Sequence, residues 1–212
     1  MLIQGQVGPS SGQSVNPGTT PAVRLGQLGD LIASELHGRF YETNYRGALF
    51  STFVNAMTVA STHVTPIAAG TGTPILGIFN PAGSGKNLVL VRIQQATTSG
   101  TPGGPLVLNV IPNPQNITAT FTTAYNNFNL TQQGSVTKIW NNTAITGSTA
   151  GTAFRNAGGS AAVAATGAIL TYTEMYDGAL IVPPGFMLAL AATATGTSHV
   201  INCYAEWEEV PV

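Results

Sequence analysis

The chain has 212 residues and a formal net charge of −1, and only 7% of its residues are charged. Soluble proteins average roughly 25% charged residues, so a freely diffusing monomer would ordinarily carry more charge than this chain. The composition favours a protein that works inside an assembly. It argues against nucleic-acid binding, which needs clustered Lys or Arg side chains, and against a membrane protein, because no apolar run approaches the roughly 18 residues of a spanning helix.

The first segment, residues 1–22, is predicted to be an extended N-terminal arm. It consists mostly of Gly, Pro, Ser, Gln and Asn with almost no apolar pattern, so it cannot bury a core of its own. Such arms are either disordered or become ordered when they bind a neighbouring chain. The sequence leaves both readings open.

Residues 23–47 are predicted to form a junction that contains one short helix. Apolar residues recur at helical spacing, namely Leu28, Leu31, Ile32 and Leu36. Gly38 follows as a C-cap, which gives a helix of about two turns that needs packing for its stability. We expect the junction to pack against the body of the protein or against a neighbouring chain. Its candidate partner-binding residues are Arg24, Leu28, Leu31, Arg39, Phe40, Tyr41, Tyr45 and Arg46.

Residues 48–212 are predicted to form a β-sandwich domain. Short apolar runs alternate with turn clusters rich in Gly, Pro, Asn and Thr, and no long helical pattern lies between them. The predicted strands are residues 48–59, 75–79, 88–94, 106–111, 117–123, 136–140, 168–173, 179–182 continuing after a kink into 186–192, and 199–207. About 8–9 strands of this kind predict an all-β, antiparallel, jelly-roll-like sandwich rather than an α/β fold.

Two segments between these strands are predicted to be loops. Residues 97–105 contain Thr, Ser, Gly and Pro and are expected to form a turn. Residues 143–167 are rich in Gly, Ala and Thr and poor in bulky side chains, so we expect a long loop outside the core.

The last stretch, residues 178–212, predicts a closing hairpin. Residues 186–192 are apolar on both faces, so we expect cover on both sides, with a second sheet and another subunit as the candidates. In the returning strand one face carries Ile201, Cys203, Ala205 and Trp207, the period-2 pattern of a half-buried strand. Cys203 is the single cysteine, and on this face we expect a small buried side chain rather than a nucleophile.

Residues 80–87, NPAGSGKN, resemble a phosphate-binding loop but lack two of its essential residues. Asn80 stands where that loop has Gly, and Asn87 stands where it has Ser or Thr to hold magnesium. A strand follows instead of the helix whose N-terminus would bind phosphate. We therefore expect a hairpin turn with an exposed Lys86.

Side chains that could perform chemistry are sparse, so we expect no enzyme, no metal and no cofactor. The three histidines, His37, His63 and His199, show no metal-ligand spacing. Glu206 and Glu208 lie two apart on one strand face, as a glycosidase carboxylate pair could. We favour outward, solvated charges that blunt an edge strand.

The charged residues divide between the middle and the end of the chain. The basic residues within 47–173 are Lys86, Arg92, Lys138 and Arg155, and the acidic residues that follow are Glu174, Asp177, Glu206, Glu208 and Glu209. This complementary charge could hold one subunit in register with the next, or the charges could be solvated without partners.

Four aromatic residues could form a sugar-stacking surface: Trp140, Tyr125, Phe128 and Tyr172. Packing in a core or an interface is the favoured interpretation of the same four residues.

The pattern as a whole resembles the small jelly-roll proteins that decorate or cement the capsids of tailed bacteriophages. The likeness lies in the Gly/Pro-rich arm, the junction sequence SELHGRFYETNYRGALF, the neutral loop-rich body, and the terminal sequences PPGFMLAL and AEWEEVPV. The resemblance implies a homo-oligomer, with a trimer favoured and a dimer possible. Such a protein is made in the host cytoplasm and bridges major capsid proteins on the outer surface of the virion, without catalysis.

In this interpretation the arm and the junction attach the protein, and the sandwich forms the oligomer contact. The competing interpretation is a head-fibre, tail or spike component whose jelly-roll domain binds a receptor or a glycan.

Overall fold

The structure is a computed structural model that describes residues 39–114, 124–131, 134–145, 150–158 and 170–212. The chain divides into two units, residues 1–41 and 42–212. The elements of the described residues are α1 (Tyr41–Tyr45), β1 (Leu49–Thr58), a 3-10 helix (Ser61–His63), β2 (Leu76–Phe79), β3 (Lys86–Thr101), β4 (Leu106–Pro112), β5 (Tyr125–Asn126), β6 (Lys138–Trp140), β7 (Thr152–Asn156), β8 (Leu170–Val182), β9 (Phe186–Ala192) and β10 (Thr197–Pro211).

The strands form two five-stranded antiparallel sheets. Sheet 1 has the order β5-β1-β10-β3-β8 and sheet 2 has the order β6-β2-β9-β4-β7. The pairing is nested: β1 pairs with β10, β2 with β9, β3 with β8 and β4 with β7. The chain thus runs out and back as a double ribbon that passes from one sheet to the other at each step, which is a jelly-roll arrangement. The predicted all-β antiparallel sandwich is confirmed.

The main core lies between the two sheets and follows the alternation of the strands. On β10 the predicted inward residues Ile201, Cys203, Ala205 and Trp207 are at most 1% exposed, as the period-2 pattern indicated. The Trp207 indole stacks on Phe50 of β1 with ring centroids 6.4 Å apart. Sheet 2 contributes the facing apolar side chains, among them Leu76, Ile78, Leu108, Leu188 and Leu190.

A second apolar layer covers the other face of sheet 2. Met187, Ala189 and Ala191 of β9 point away from the main core, and all three are fully buried. They pack with Ile67, Phe79, Ile111, Trp140 and Ile145. The prediction that both faces of this strand are covered is confirmed, but the cover on this face comes from loops and neighbouring strands of the same chain and not from another subunit.

The predicted closing hairpin is wrong, because β9 and β10 lie in different sheets. The apolar faces of β9 place it at the centre of sheet 2 between β2 and β4, whereas β10 pairs with β1 and β3. The strands predicted at residues 168–173 and 179–182 are not separate, because the described residues 170–173 and 179–182 belong to one strand, β8. The Pro-Pro-Gly kink is a turn that carries the chain from sheet 1 to sheet 2, with Gly185 at a φ of +86°.

Both predicted loops contain strand residues. Residues 97–101 extend β3, because β3 stays paired with β10 as far as Thr197. Residues 152–156 form β7, which pairs with β4, and the side chains of Ile145 and Ala157 in the same stretch are fully buried. The expectation of exposure holds for β7, whose five residues are all exposed, but not for Ala157 in the main core or Ile145 in the second apolar layer.

Three predictions fall outside the described residues: the extended arm at 1–22, the helix over Leu28–Leu36 with its Gly38 cap, and the strand at 117–123. The described helix, α1, lies further along the junction and has only 5 residues.

Candidate interaction surface

The outer face of sheet 1 carries the side chains that point away from the core, and the strand register arranges them in rows. Directly paired residues on neighbouring antiparallel strands share one face of the sheet. One row runs across Phe53, Tyr204, Gln94 and Thr173. The next row runs across Tyr125, Ser51, Glu206, Arg92 and Met175. A third contains Glu208, Val89 and Ile181. We call these three rows the outer face of sheet 1.

This face exposes large apolar side chains. Phe53 is 49% exposed, Met175 49%, Ile181 51% and Tyr125 39%. They lie on three of the five strands, β5, β1 and β8, so the apolar area reaches both edges of the sheet. Exposed apolar area of this kind makes the face a candidate interaction surface.

A network of polar side chains holds the charges in the middle of the face. Arg92 Nε lies 2.8 Å from Glu206 Oε2. Glu206 Oε1 accepts a 2.8 Å hydrogen bond from Asn127 Nδ2, and Asn127 Oδ1 accepts one of 2.6 Å from Ser51 Oγ. The Arg92 guanidinium also lies 5.2 Å from the centre of the Tyr204 ring, within cation–π range. Both charges of the middle row, Arg92 and Glu206, are therefore matched and held in place within the chain.

The Arg92 guanidinium remains charged in this setting. Burial opposes its charge, but hydrogen bonding to Tyr204 and the adjacent Glu206 carboxylate outweigh burial, so the pKa of Arg92 is raised. The expected solvated position of Glu206 is wrong, since this residue is only 7% exposed. The expected edge strand is also wrong, because β10 is the central strand of sheet 1.

The charges of the middle and the end of the chain pair within one chain. Among the described residues Lys86 pairs with Glu209, Arg92 with Glu206 and Arg155 with Glu174, each at 2.8 Å. The Arg155–Glu174 pair joins β7 of sheet 2 to β8 of sheet 1. These six residues thus join parts of one chain, so neither alternative from the sequence, register between subunits or solvated charges without partners, describes them.

Glu209 is the most enclosed of these charges, with a side chain that is 0% exposed. Its Oε2 faces Lys86, and its Oε1 accepts hydrogen bonds from Ser135 Oγ at 2.6 Å, Val136 N at 2.9 Å and Thr137 Oγ1 at 3.1 Å. The carboxylate thereby ties the end of β10 to the start of β3 and to the segment that leads into β6. Its role is structural.

The loop that resembles a phosphate-binding loop is a connection between the two sheets. It joins β2 of sheet 2 to β3 of sheet 1, so the predicted hairpin is wrong. Asn80 is fully buried and donates from Nδ2 to the carbonyl oxygens of Lys86 and Val182, at 2.8 and 2.9 Å. Lys86 is not the solvated residue that we expected, because Glu209 holds it.

Only part of the predicted partner-binding set lies in the described residues. Arg24, Leu28 and Leu31 fall outside them. Arg39, Tyr41 and Arg46 are exposed and Phe40 is half-buried, with the Arg39 guanidinium 5.3 Å from the Phe40 ring.

Tyr45 contributes to an aromatic corner at the β5 edge of sheet 1. It is 61% exposed and packs edge-to-face on Phe128, which is 53% exposed, with ring centroids 5.7 Å apart. Leu130 nearby in the chain is 76% exposed. Asn126 Nδ2 fixes this loop to the junction with a 2.8 Å hydrogen bond to Gly47 O. The corner adjoins the outer face of sheet 1, because Tyr125 belongs to that face.

The four aromatic residues considered for sugar stacking do not share one surface. Trp140 is 4% exposed in the second apolar layer, where its Nε1 donates to Thr143 O at 2.8 Å. Tyr172 pairs with Gln95, whose side chain faces inward, so it lies on the opposite face of sheet 1 from Tyr125. Sequence reasoning missed Phe53, Arg92 and Tyr204, because their grouping depends on the strand register.

The buried titratable side chains have ordinary structural surroundings. Burial lowers the pKa of His63 and of His199, and His63 Nδ1 accepts a hydrogen bond from Ala60 N. Burial raises the pKa of the Cys203 thiol to about 12.

Within the described ranges no cluster of three or more His, Cys, Asp or Glu side chains could hold a metal ion. The helices in that part of the chain are too short or too polar to cross a membrane.

Comparison of the chain with protein-family models, with curated proteins and with solved structures finds no match.

Proposed function

We propose that the protein is a non-enzymatic structural component of a bacteriophage virion, and specifically a decoration or cement protein on the outer capsid surface. The observation that carries this proposal is the outer face of sheet 1, where half-exposed Phe53, Met175 and Ile181 surround a neutralised Arg92–Glu206 pair. Aromatic, Met and Arg side chains are the types enriched in protein interfaces. The resemblance in sequence supplies the virion and the major capsid protein as the setting and the partner.

Additive burial explains how such a protein would stabilise a shell. A standard protein interface buries about 1,600 Å², and many copies that each contact several neighbours add up even where single contacts are weak. The arm of residues 1–22 and the exposed junction residues Arg39, Tyr41, Tyr45 and Arg46 would attach each copy to the shell. The sandwich would hold the copies together.

Binding to purified shells tests the attachment. Full-length protein is expected to sediment with capsids, and a variant that lacks residues 1–22 is expected to lose most of its occupancy. The matched control carries a scrambled arm with the same composition, which separates specific contacts from mere length. Undiminished occupancy of the deletion variant would refute attachment through the arm. A full-length protein that binds no part of the virion would refute the proposed function.

The second candidate function is a receptor- or glycan-binding component of a head fibre, tail or spike. The exposed Tyr45, Phe128 and Tyr125 at the β5 edge favour it, because aromatic rings stack on sugar faces. Glycan binding by the isolated protein that is lost in Phe128→Ala would support this alternative. Trp140→Ala is not a suitable test, because Trp140 is buried in the second apolar layer.

A further inference from the structure

We propose that the outer face of sheet 1 is a self-association surface that packs against the same face of a second copy around a two-fold axis. The inference deepens the proposed function and rests on it for its biological setting, since it names the surface by which the sandwich forms its oligomer. Its test needs only the purified protein in solution. Failure of the pairing and failure of virion attachment are therefore separate results.

The area of the face matches what a stable dimer needs. Strands β3 and β10 have 16 and 15 residues, and they are paired from end to end. The other three strands are shorter, with 10 residues in β1, 13 in β8 and 2 in β5. At a rise of about 3.3 Å per residue and a strand spacing of about 4.8 Å, the five strands together present roughly 900 Å². A standard interface takes about 800 Å² from each partner.

The composition of the face is that of an interface centre. Phe53, Tyr204, Arg92, Tyr125 and Met175 are grouped there by the register. Tyr and Arg are the residues that most often dominate binding energy, and Arg92 is already ordered over the Tyr204 ring. A side chain that is ordered before binding loses less conformational entropy when a partner covers it.

The charges of the face favour a second copy over other occupants. The Arg92–Glu206 pair leaves the middle row of the face without net charge, and Glu208, the other charged residue of the three rows, accepts a 3.3 Å hydrogen bond from Thr43 Oγ1. Two copies therefore bring no unmatched charges together at the middle row, and a strongly charged partner finds no complement there. Both oxygens of Glu206 and both ends of the Asn127 amide are already engaged within the chain. A sugar would have to compete with these contacts for its hydroxyl groups, whereas an apolar sheet face covers them without breaking them.

Face-to-face packing of two sheets is an established geometry. Sheets pack about 10 Å apart with their strands within about 30° of each other. The same face on both copies makes the contact isologous, and an isologous contact closes as a dimer. The outer face of sheet 1 therefore favours the dimer that the sequence resemblance allowed over the trimer that it preferred.

Sedimentation equilibrium of the full-length protein tests the inference. At about 50 µM we expect twice the chain mass of 21.8 kDa, because interfaces of this size bind with micromolar or tighter affinity. Phe53→Lys and Met175→Lys place a charge in the interface and are expected to raise the dimer dissociation constant about 30-fold or more. Phe154→Lys is the matched control, since Phe154 is 46% exposed on β7 of sheet 2 and should change that constant less than about threefold.

A chemical measurement covers the case in which a charged variant does not fold. Gln94→Cys introduces a thiol at the middle of the face, and the native Cys203 is fully buried with a pKa of about 12, so it competes little for thiol reagents. Alkylation of the introduced thiol should slow as the protein concentration rises through the dimer transition. Alkylation of Phe154→Cys should not slow.

Three results would overturn the inference. The first is a wild-type protein that is monomeric at about 50 µM, a concentration above the micromolar dissociation constant expected for an interface of this size. The second is an oligomer that Phe53→Lys leaves intact. The third is an alkylation rate of Gln94→Cys that, like that of Phe154→Cys, does not change with protein concentration. A monomer that binds an immobilised glycan and loses that binding in Phe53→Lys would assign the face to a sugar instead.

Discussion

The outer faces of the two sheets are covered in different ways. On sheet 2, β9 buries Met187, Ala189 and Ala191 under Ile67 and Ile145 from loops and Trp140 from β6 of its own chain. On sheet 1, the corresponding face keeps Phe53 and Met175 half exposed around a charge pair. A strand that is apolar on both faces needs cover within its own chain in order to fold. A face that mixes aromatic rings with matched charges can remain soluble until another molecule covers it.

The largest effect on stability should come from a substitution in the second apolar layer, which covers the outer side of sheet 2. Trp140→Ala removes a buried indole and its hydrogen bond to Thr143 O, and we expect a loss of about 4 kcal/mol in the free energy of unfolding. Urea denaturation followed by circular dichroism measures it. A loss below about 1 kcal/mol, the range of an exposed residue, would show that the second apolar layer does not stabilise the fold.

A smaller loss of stability is expected from removing the Glu209 carboxylate, which links the end of β10 to the start of β3 and to the segment before β6. Glu209→Ala removes the fully buried carboxylate that Lys86, Ser135, Val136 and Thr137 contact, which should cost about 3 kcal/mol. Glu208→Ala is the control, because Glu208 is half buried on the outer face of sheet 1 and should cost less than about 1 kcal/mol. Equal losses in the two variants, measured by urea denaturation, would contradict the structural role of Glu209.

Acidification should weaken the fold through the two buried histidines. Burial lowers the pKa of His63 and His199 below the ordinary 6.5, so below that pH the unfolded chain binds protons that the folded chain resists. Their contribution to stability is complete above about pH 6.5 and falls as the pH drops toward the folded-state pKa values. Melting temperatures should therefore fall between about pH 7 and pH 5, and less steeply in His199→Gln. An equally steep fall in that variant would assign the pH dependence to other groups.

The smallest effect on stability is expected from a substitution on the outer face of sheet 1. Phe53→Ala in the monomer should change the free energy of unfolding by about 0.5 kcal/mol or less, because Phe53 is 49% exposed and lies outside the core. Denaturation at a concentration well below the dimer transition measures it. A loss comparable to that of Trp140→Ala would mean that Phe53 already packs within its own chain, which would remove the contrast between the two faces.

The sequence predicted the strands better than their partners. Alternation along β10 identified Ile201, Cys203, Ala205 and Trp207 as the inward residues, because side-chain direction is a local property. The partners of β10, β1 and β3, lie far from it in the sequence. The prediction paired β10 with β9 instead, because strands that follow each other in the sequence often form hairpins. Nested pairing joins the first strand to the last, and no short-range signal distinguishes it from a hairpin.

The candidate surface was the part least accessible to sequence reasoning. The opposite charges of the middle and the end of the chain were noted, but Lys86 and Glu209 are 123 residues apart and their contact depends on the sheet register. The same register brings Phe53, Arg92 and Tyr204 together from three strands. Tyr45 and Phe128 form an aromatic corner for the same reason, because β5 pairs with β1 beside the junction.

Hydroxyl-radical footprinting of the unmodified protein over a range of concentrations tests the central contrast most directly. The measurement compares the oxidation rates of Phe53 and Met175 on sheet 1 with that of Phe154 on sheet 2, three side chains that are 49%, 49% and 46% exposed. We predict that Phe53 and Met175 become protected as the concentration rises while Phe154 does not change. Oxidation rates of Phe53 and Met175 that stay constant at every concentration, as that of Phe154 does, would contradict the account, because the outer face of sheet 1 would then have no second copy to cover it.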